Sequence, residues 1–412
     1  MPDQSLIKRL IRPRLLEALA DTPVVLIHGP RQCGKTTLSK TLKGYAYITF
    51  DDAVQLAAAR ADPVGFVADL PERVVLDEVQ RVPELFASLK VAVDRQRRPG
   101  RFVLTGSANV LLAPKLSDSL AGRMELIRLY PLAQCELAGA GSGFIDALFS
   151  RGFKAKVFWR LGGELAERIV AGGYPAALAR GAGRRRRDWY RAYLETLVQR
   201  DVREIARIGS LDALPRLLQL AAGQTARLLN VSELAAPFQL SRPTIRDYVT
   251  LLERIFLIEF LPSWHSNRLS RLVKAAKLHL GDTGLASSLL GVDAGALAKD
   301  RALLGQLLET FVLQELRRQA GWHDDTLAFH HFRDKDGYEV DIVLEREGRA
   351  VAGVEVKASA TVTESDFRGL RKLRDASGAR FAAGIVLYDG ESVARFADDL
   401  FAVPVKALWG MK

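Results

Sequence analysis

Four short apolar runs constrain the first third of the chain more than any other feature. They are VVLIHG at 24–29, YITFDD at 47–52, RVVLDE at 73–78 and RFVLTGS at 101–107. Each is rich in β-branched and large aliphatic residues. Short continuous apolar runs suit strands covered on both faces, as in a parallel sheet. Helical stretches lie between them, so the spacing predicts a doubly wound α/β layer.

The remainder of the chain is long enough for one or two further units. It has 412 residues in all, 48% hydrophobic and 26% charged. That balance supports packed cores and excludes a disordered or fibrous chain. Lys and Arg outnumber Asp and Glu by 59 to 48, a net charge of +11, which favours an anionic partner such as nucleic acid or nucleotide. The two cysteines, Cys33 and Cys135, cannot build a disulfide framework or a four-thiolate zinc site, and a reducing cytoplasmic location is expected. No stretch reaches the roughly 18 consecutive apolar residues of a membrane helix, so no membrane partner is expected. Composition shifts near GSG at 141–143 and GVDAGA at 291–296 divide the chain into 1–150, 151–290 and 291–412.

The first run leads into Gly29-Pro30-Arg31-Gln32-Cys33-Gly34-Lys35-Thr36, with Thr37 next on a helical stretch. This fits GxxxxGK[ST] in its strand–loop–helix setting. Glycines let backbone N–H groups wrap phosphates, the lysine reaches the β- and γ-phosphates, and the Thr36 hydroxyl is placed for Mg²⁺. The helix N-terminus adds a positive dipole. Val74–Glu78 ends an apolar strand in two acids, so Asp77 is the second Mg²⁺ candidate and Glu78 the candidate base for an attacking water. Thr105 and Ser107, at the end of the next run, are candidates to orient the water or the γ-phosphate, with Thr105 favoured. ATP and Mg²⁺ are the cofactors these residues imply.

The order of this loop, LDEVQ at 76–80, LTGSAN at 104–109, SLAGR at 119–123, GGYP at 172–175 and QRDV at 199–202 resembles prokaryotic AAA-plus ATPases that carry a C-terminal domain of unknown function. The resemblance spans nearly the whole chain. It implies ATP hydrolysis and a homo-oligomer, often a hexameric ring, in which an arginine from one subunit completes its neighbour's site. Arg123 is the first candidate for that arginine and Arg200 the second.

The middle region turns helical. DWYRAYLETLVQRDVREIARI places Trp189, Tyr193, Leu197 and Val198 on one face. Ser232–Trp264 reads as helix, turn, helix and strand, with Ser232 and Ser241 as candidate N-caps and Pro243 early in its helix, where its missing N–H costs little. The run resembles a winged helix-turn-helix whose second helix offers Arg242, Thr244, Arg246 and Arg254 to a major groove. The basic run Asn267–Lys277 is the candidate wing. Arg184, Arg185, Arg186 and Arg187 form a four-arginine run that is a candidate phosphate contact or else a solvated charge run.

The last region begins with the helical LLGQLLETFVLQELRRQAG and continues through the strand-like LAFHHFRD, YEVDIVLER, RAVAGVEVK and FAAGIVLYD. A hairpin turning about Gly348 sets Asp341 opposite Glu355. Side chains at i and i+2 of a strand share a face, so Glu355 and Lys357 point the same way, and Glu309 on the preceding helix adds a third carboxylate. Such a set suits a hard, oxygen-ligated Mg²⁺. The order Glu309, Asp341, Glu355-x-Lys357 resembles the PD-(D/E)xK restriction-endonuclease-like superfamily, which implies an α/β fold of that kind and a metal-dependent nuclease site; Val340 stands where that family often has proline. His330 and His331 are adjacent in a strand, point to opposite faces and are expected to be structural.

These readings combine into an ATP-dependent protein that binds or processes duplex or branched DNA. The alternatives are a regulatory ATPase whose C-terminal fold binds nucleic acid or protein without cutting, and a ring ATPase that remodels protein.

Overall fold

The computed structural model describes residues 6–107, 120–141, 143–150, 152–205, 213–238, 240–267, 271 and 274–411, with the side chains of 199–205 excluded. The chain divides into two compact units. One is built from Lys8–Leu132 with Arg254–Phe256, the other mainly from Ala133–Glu253 and Leu257–Lys412.

The first unit is organised by a five-stranded parallel sheet. Its strands are β1 (Val24–His28), β2 (Ala46–Thr49), β3 (Val74–Asp77), β4 (Phe102–Gly106) and β5 (Met124–Arg128), in the order β2-β3-β4-β1-β5. The four apolar runs became four of these strands. β1, β3 and β4 are buried along their whole length, as strands covered on both faces require. Val24, Leu26, Leu76, Phe86, Leu89, Phe102 and Leu104 share one core. The fifth strand, MELIR, escaped the sequence reading because it is only half buried, with Leu126 exposed at the sheet's edge.

In the second unit, β6 (Arg227–Leu228), β7 (Ile258–Leu261) and β8 (Lys277–Leu280) form an antiparallel sheet in the order β6-β8-β7. The helices Ala213–Gly223, Val231–Ala235 and Arg242–Arg254 alternate with it along the chain. Ser241 caps the last of these, its Oγ accepting from the Thr244 N–H. The expected cap at Ser232 moves to Asn230, whose side chain accepts from the Ser232 and Glu233 N–H groups. Lys277, expected in a basic wing, instead opens β8 and is buried.

The same unit contains a six-stranded mixed sheet. It comprises β9 (Leu327–Arg333), β10 (Glu339–Arg346), β11 (Ala350–Lys357), β12 (Phe381–Tyr388), β13 (Ala394–Ala397) and β14 (Leu400–Pro404), in the order β13-β14-β12-β11-β10-β9. β9, β10 and β11 run antiparallel in sequence, whereas β11, β12 and β14 are parallel. Helix Arg368–Ser377 lays Leu370 and Leu373 on this sheet beside Val340, Val343 and Val386.

Asp282 accounts for the local geometry of GGYP at 172–175. Its carboxylate, with no exposed surface, accepts from the N–H groups of Gly173, Gly284 and Leu285, the Tyr190 hydroxyl and the Arg318 guanidinium. Gly172 has φ +65°, and a Cβ there would run into both Asp282 and the Tyr190 hydroxyl. The motif is a packing device around a buried charge. The aromatic stripe expected on the long helix packs here too: Trp189 stacks on Tyr193, and Tyr174 contacts both.

Candidate functional site

In the first unit the phosphate-loop pattern folds as a tight turn from β1 into helix Lys35–Ser39. Gly29 and Gly34 take φ +154° and +105°, and a Cβ at Gly29 would collide with the Leu129 carbonyl. Gln32 is left-handed at φ +63°. Pro30, Arg31 and Gln32 form the outer turn, Cys33 is buried and Thr37 lies exposed on the helix. Arg9 braces the loop by donating to the Cys33 and Tyr130 carbonyls at 2.9 and 2.7 Å. The Lys35 ammonium, 6% exposed, is held on the loop's own carbonyls, at 3.0 Å from Gly29 and 2.9 Å from Pro30.

Asp77 is the centre of the site. Its carboxylate, 4% exposed, accepts from the Thr36 hydroxyl at 3.1 Å, from the Tyr47 hydroxyl at 2.5 Å and from the Thr105 hydroxyl. Burial and the neighbouring Asp77 push the Tyr47 phenol above its usual range, so Tyr47 stays a donor. Thr36 and Asp77 together are a hard-oxygen donor set that fits Mg²⁺.

Glu78 follows at φ +57°, ψ +43°. A left-handed non-glycine residue costs about 1–3 kcal/mol, and such strain concentrates at functional sites. Its N–H donates to the Thr105 hydroxyl at 3.3 Å. The Glu78 carboxylate accepts from the Gln80 amide, which also reaches the Ser107 hydroxyl at 3.3 Å. Sequence reasoning assigned no role to Gln80, to Tyr47 or to Arg9. Gln80 stood inside LDEVQ, and two residues past a strand-ending acid pair was the one available signal. His28, behind the loop, is lowered to about 4 by burial and by the charges of Arg128 and Lys35.

Arg123 is committed to its own chain, paired with both carboxylate oxygens of Asp94 at 2.5 and 3.1 Å. The side chain of Arg200 lies outside the description, as do Ala108, Asn109 and Ser119 of the motifs above. Of the four-arginine run, Arg184 and Arg185 are exposed. Arg186 donates to the Ala177 and Arg180 carbonyls, and Arg186 and Arg187 line a cavity of about 670 Å³ with Arg168 and Tyr190. Arg242, Arg246 and Arg254 are exposed on their helix, and Thr244 is half-buried against Ser241.

The second unit brings together the C-terminal acids. Glu347 and Gly348 both take positive φ, as tight hairpin turns require, and the register Ile342↔Val354 carries on to set Asp341 against Glu355. The register against β9 shifts between Val340 and Val343, a stretch that takes in Asp341 and Ile342; bulges re-aim side chains, often beside functional sites. Asp341 accepts from the Val356 N–H at 2.9 Å. Lys357 bonds Glu355 at 2.9 Å, so these two do share a face.

The cation at the middle of this cluster is Lys277. Its ammonium lies 2.8 Å from Glu309 and 3.1 Å from Asp341, with the lysine side chain 5% exposed. Burial draws its pKa down, but Asp341 and Glu309 outweigh that and hold it above the usual lysine range. Burial and Asp341 raise Glu309 well above its usual range, and the same two causes push Glu355 up to about 8. As arranged, Glu309 and Asp341 are taken up by the Lys277 ammonium and one oxygen of Glu355 by that of Lys357, and the set does not fit a divalent ion. Among the described residues no group of three His, Cys, Asp or Glu side chains is set to hold a metal. The sequence signal for Lys277 was its place with His279 at i and i+2 of an otherwise apolar strand. His330 and His331 are buried and lowered to about 4, chiefly by burial, in keeping with a structural part.

Three family descriptions match the chain in succession: an AAA domain over residues 21–138, a domain of unknown function (DUF8612) over 162–296 and another (DUF4143) over 304–408. Two mycobacterial proteins, Rv2008c of Mycobacterium tuberculosis and Mb2031c of Mycobacterium bovis, both described as uncharacterized, are each 32% identical over 394 residues. That match covers 95% of this chain and 82% of theirs. Among solved structures, the Walker-type ATPase PABY2304 of Pyrococcus abyssi is 15% identical with a TM-score of 0.45, covering 70% of this chain and 97% of that one. The parallel sheet, the phosphate loop and the AAA match agree, and among the described residues no helix is long and apolar enough to cross a membrane. The chain belongs to the family of these mycobacterial proteins and carries an AAA-type P-loop ATPase domain in its N-terminal third.

Proposed function

We propose that the protein hydrolyses ATP with Mg²⁺ and couples that cycle to DNA bound by its other unit. The observation that carries the first part is the convergence of Thr36, Tyr47 and Thr105 on Asp77 beside the Lys35 loop, with Thr105 also accepting from the Glu78 N–H. Backbone N–H groups of Gly29–Thr36 receive the β- and γ-phosphates, and Lys35 exchanges its two loop carbonyls for phosphate oxygens. Thr36 and Asp77 would hold Mg²⁺, which neutralises charge on those oxygens when bound. Glu78 accepts a proton from water as the water oxygen bonds to the γ-phosphorus. The bond to the β,γ-bridging oxygen breaks, and ADP and phosphate leave. Thr105 holds Asp77 and the Glu78 backbone in register. Arg123 serves as a finger in a ring only after leaving Asp94. The test is ATP turnover by the full chain: removal of Mg²⁺ should abolish it, and Lys35→Ala should weaken nucleotide binding. Turnover unaffected by either change would end this reading.

DNA coupling is supported by the net charge of +11 and by a winged-helix reading of the middle region. The order helix, β6, two helices, β7, β8, with β8 central in its sheet, suits that reading, as do exposed Arg242 and Arg246. The three-part division at 150 and 290 belongs to the same proposal. Affinity for duplex or branched DNA should fall with salt at a log–log slope of about −0.9 per phosphate neutralised. Arg184→Ala with Arg185→Ala should make that slope shallower by roughly 1 per arginine that contacts phosphate; an unchanged slope would assign the run to solvent.

We read the C-terminal cluster as a binding or regulatory element rather than a cutting one, because Lys277 takes up Glu309 and Asp341, two of the carboxylates a nuclease would give to metal.

A further inference from the structure

We propose that Gln80 is a positioning residue of the hydrolytic step, acting through Glu78. The proposal rests on the ATPase reading above and extends it to a side chain that reading leaves idle. Gln80 lies in the single turn Val79–Arg81 that follows the left-handed Glu78. Its amide nitrogen donates to Glu78 Oε2 and to Ser107 Oγ, so it ties the end of β3 to the end of β4. The orientation of the amide is fixed by chemistry. A carboxylate only accepts hydrogen bonds, so the group facing Glu78 must be the NH₂.

Two consequences follow from this clamp. One oxygen of Glu78 is occupied, which leaves Oε1 as the oxygen available to a water proton. The Gln80 carbonyl oxygen is buried and has no hydrogen-bond partner. A buried acceptor without a donor is costly and uncommon. The clamp keeps that acceptor closed to solvent while the amide nitrogen stays on Glu78 and Ser107. The carboxamide therefore fixes the orientation of the base and leaves its Oε1 to take the water proton. Left-handed geometry at Glu78 is what lets residues 78 and 80 meet, so the backbone strain there has a use.

The experiment is steady-state ATP hydrolysis by the full chain carrying Gln80→Ala or Gln80→Met, the latter to keep the volume filled. Expected is a fall in kcat of about 10- to 100-fold with KM within about threefold, since loss of an interaction that matters only during reaction lowers kcat. In a Glu78→Gln background the same Gln80 change should add almost nothing, because Gln80 acts through Glu78. A Gln80→Met variant with wild-type kcat, or a loss as large in the Glu78→Gln background as in wild type, overturns the proposal while leaving the ATPase reading intact. A wild-type chain that never hydrolyses ATP overturns both.

Discussion

Glu78→Gln should keep nucleotide affinity and lose about 10²- to 10⁴-fold of ATP turnover, the usual contribution of a positioned general base. The substitution is nearly isosteric, so the left-handed backbone and the donation from the Glu78 N–H to Thr105 persist. Asp77 keeps its three hydroxyl donors, and the Mg²⁺ ligand set is unchanged. What disappears is the carboxylate that follows Asp77 directly in the chain. Single-turnover hydrolysis, measured beside equilibrium binding of a fluorescent ATP analogue, separates the two effects. Equal turnover in wild type and variant would remove Glu78 from the base role and pass it to another group. A parallel loss of binding would mean that the exchange had disturbed the loop.

The parts of this site that were legible in the sequence are those written locally. A buried parallel strand announces itself as an apolar run, so β1, β3 and β4 were readable residue by residue. GxxxxGK[ST] states its own backbone geometry, because Gly29 and Gly34 must take positive φ. Edge strands carry no such signal. β5 has one fully buried residue of five and β13 none of four, and their composition reads as loop. The hairpin that sets Asp341 against Glu355 was readable because the strand period is two and Gly348 marks the turn. Positive φ at Glu78 was not readable, since a glutamate does not advertise it, and without that turn the Gln80 contact has no reason to form. Asn230 capped its helix in place of Ser232 because the helix began two residues earlier than the apolar pattern indicated. Lys277 was misread for a different reason. A lysine at the end of a basic run looks solvated, and its partners lie 32 and 64 positions further on. Only the tertiary approach of Glu309 and Asp341 to β8 turns that lysine inward.

Lys277→Met should destabilise the second unit by about 3–5 kcal/mol, the range for removing one member of a buried ion pair. The cluster holds three carboxylates, Glu309, Asp341 and Glu355, against two ammonium groups, Lys277 and Lys357. Methionine keeps most of the volume, so cavity formation contributes little and the cost reports charge. Lys357 cannot replace the lost cation, because it is engaged with Glu355 and its side chain is 35% exposed. Glu309 and Asp341 would then face each other without compensation, and one would have to take up a proton. Adding Glu309→Gln removes that repulsion, so the double variant should recover at least about 1 kcal/mol, a coupling typical of residues in direct contact. Urea unfolding followed by a probe in the second unit measures both quantities. A cost under about 0.5 kcal/mol for Lys277→Met would show that the ammonium is incidental, and the carboxylates would again be open to a divalent ion and to the cutting role. A large cost with partial recovery would fix Lys277 as the cluster's own counter-ion, with any cleavage requiring β8 to withdraw first.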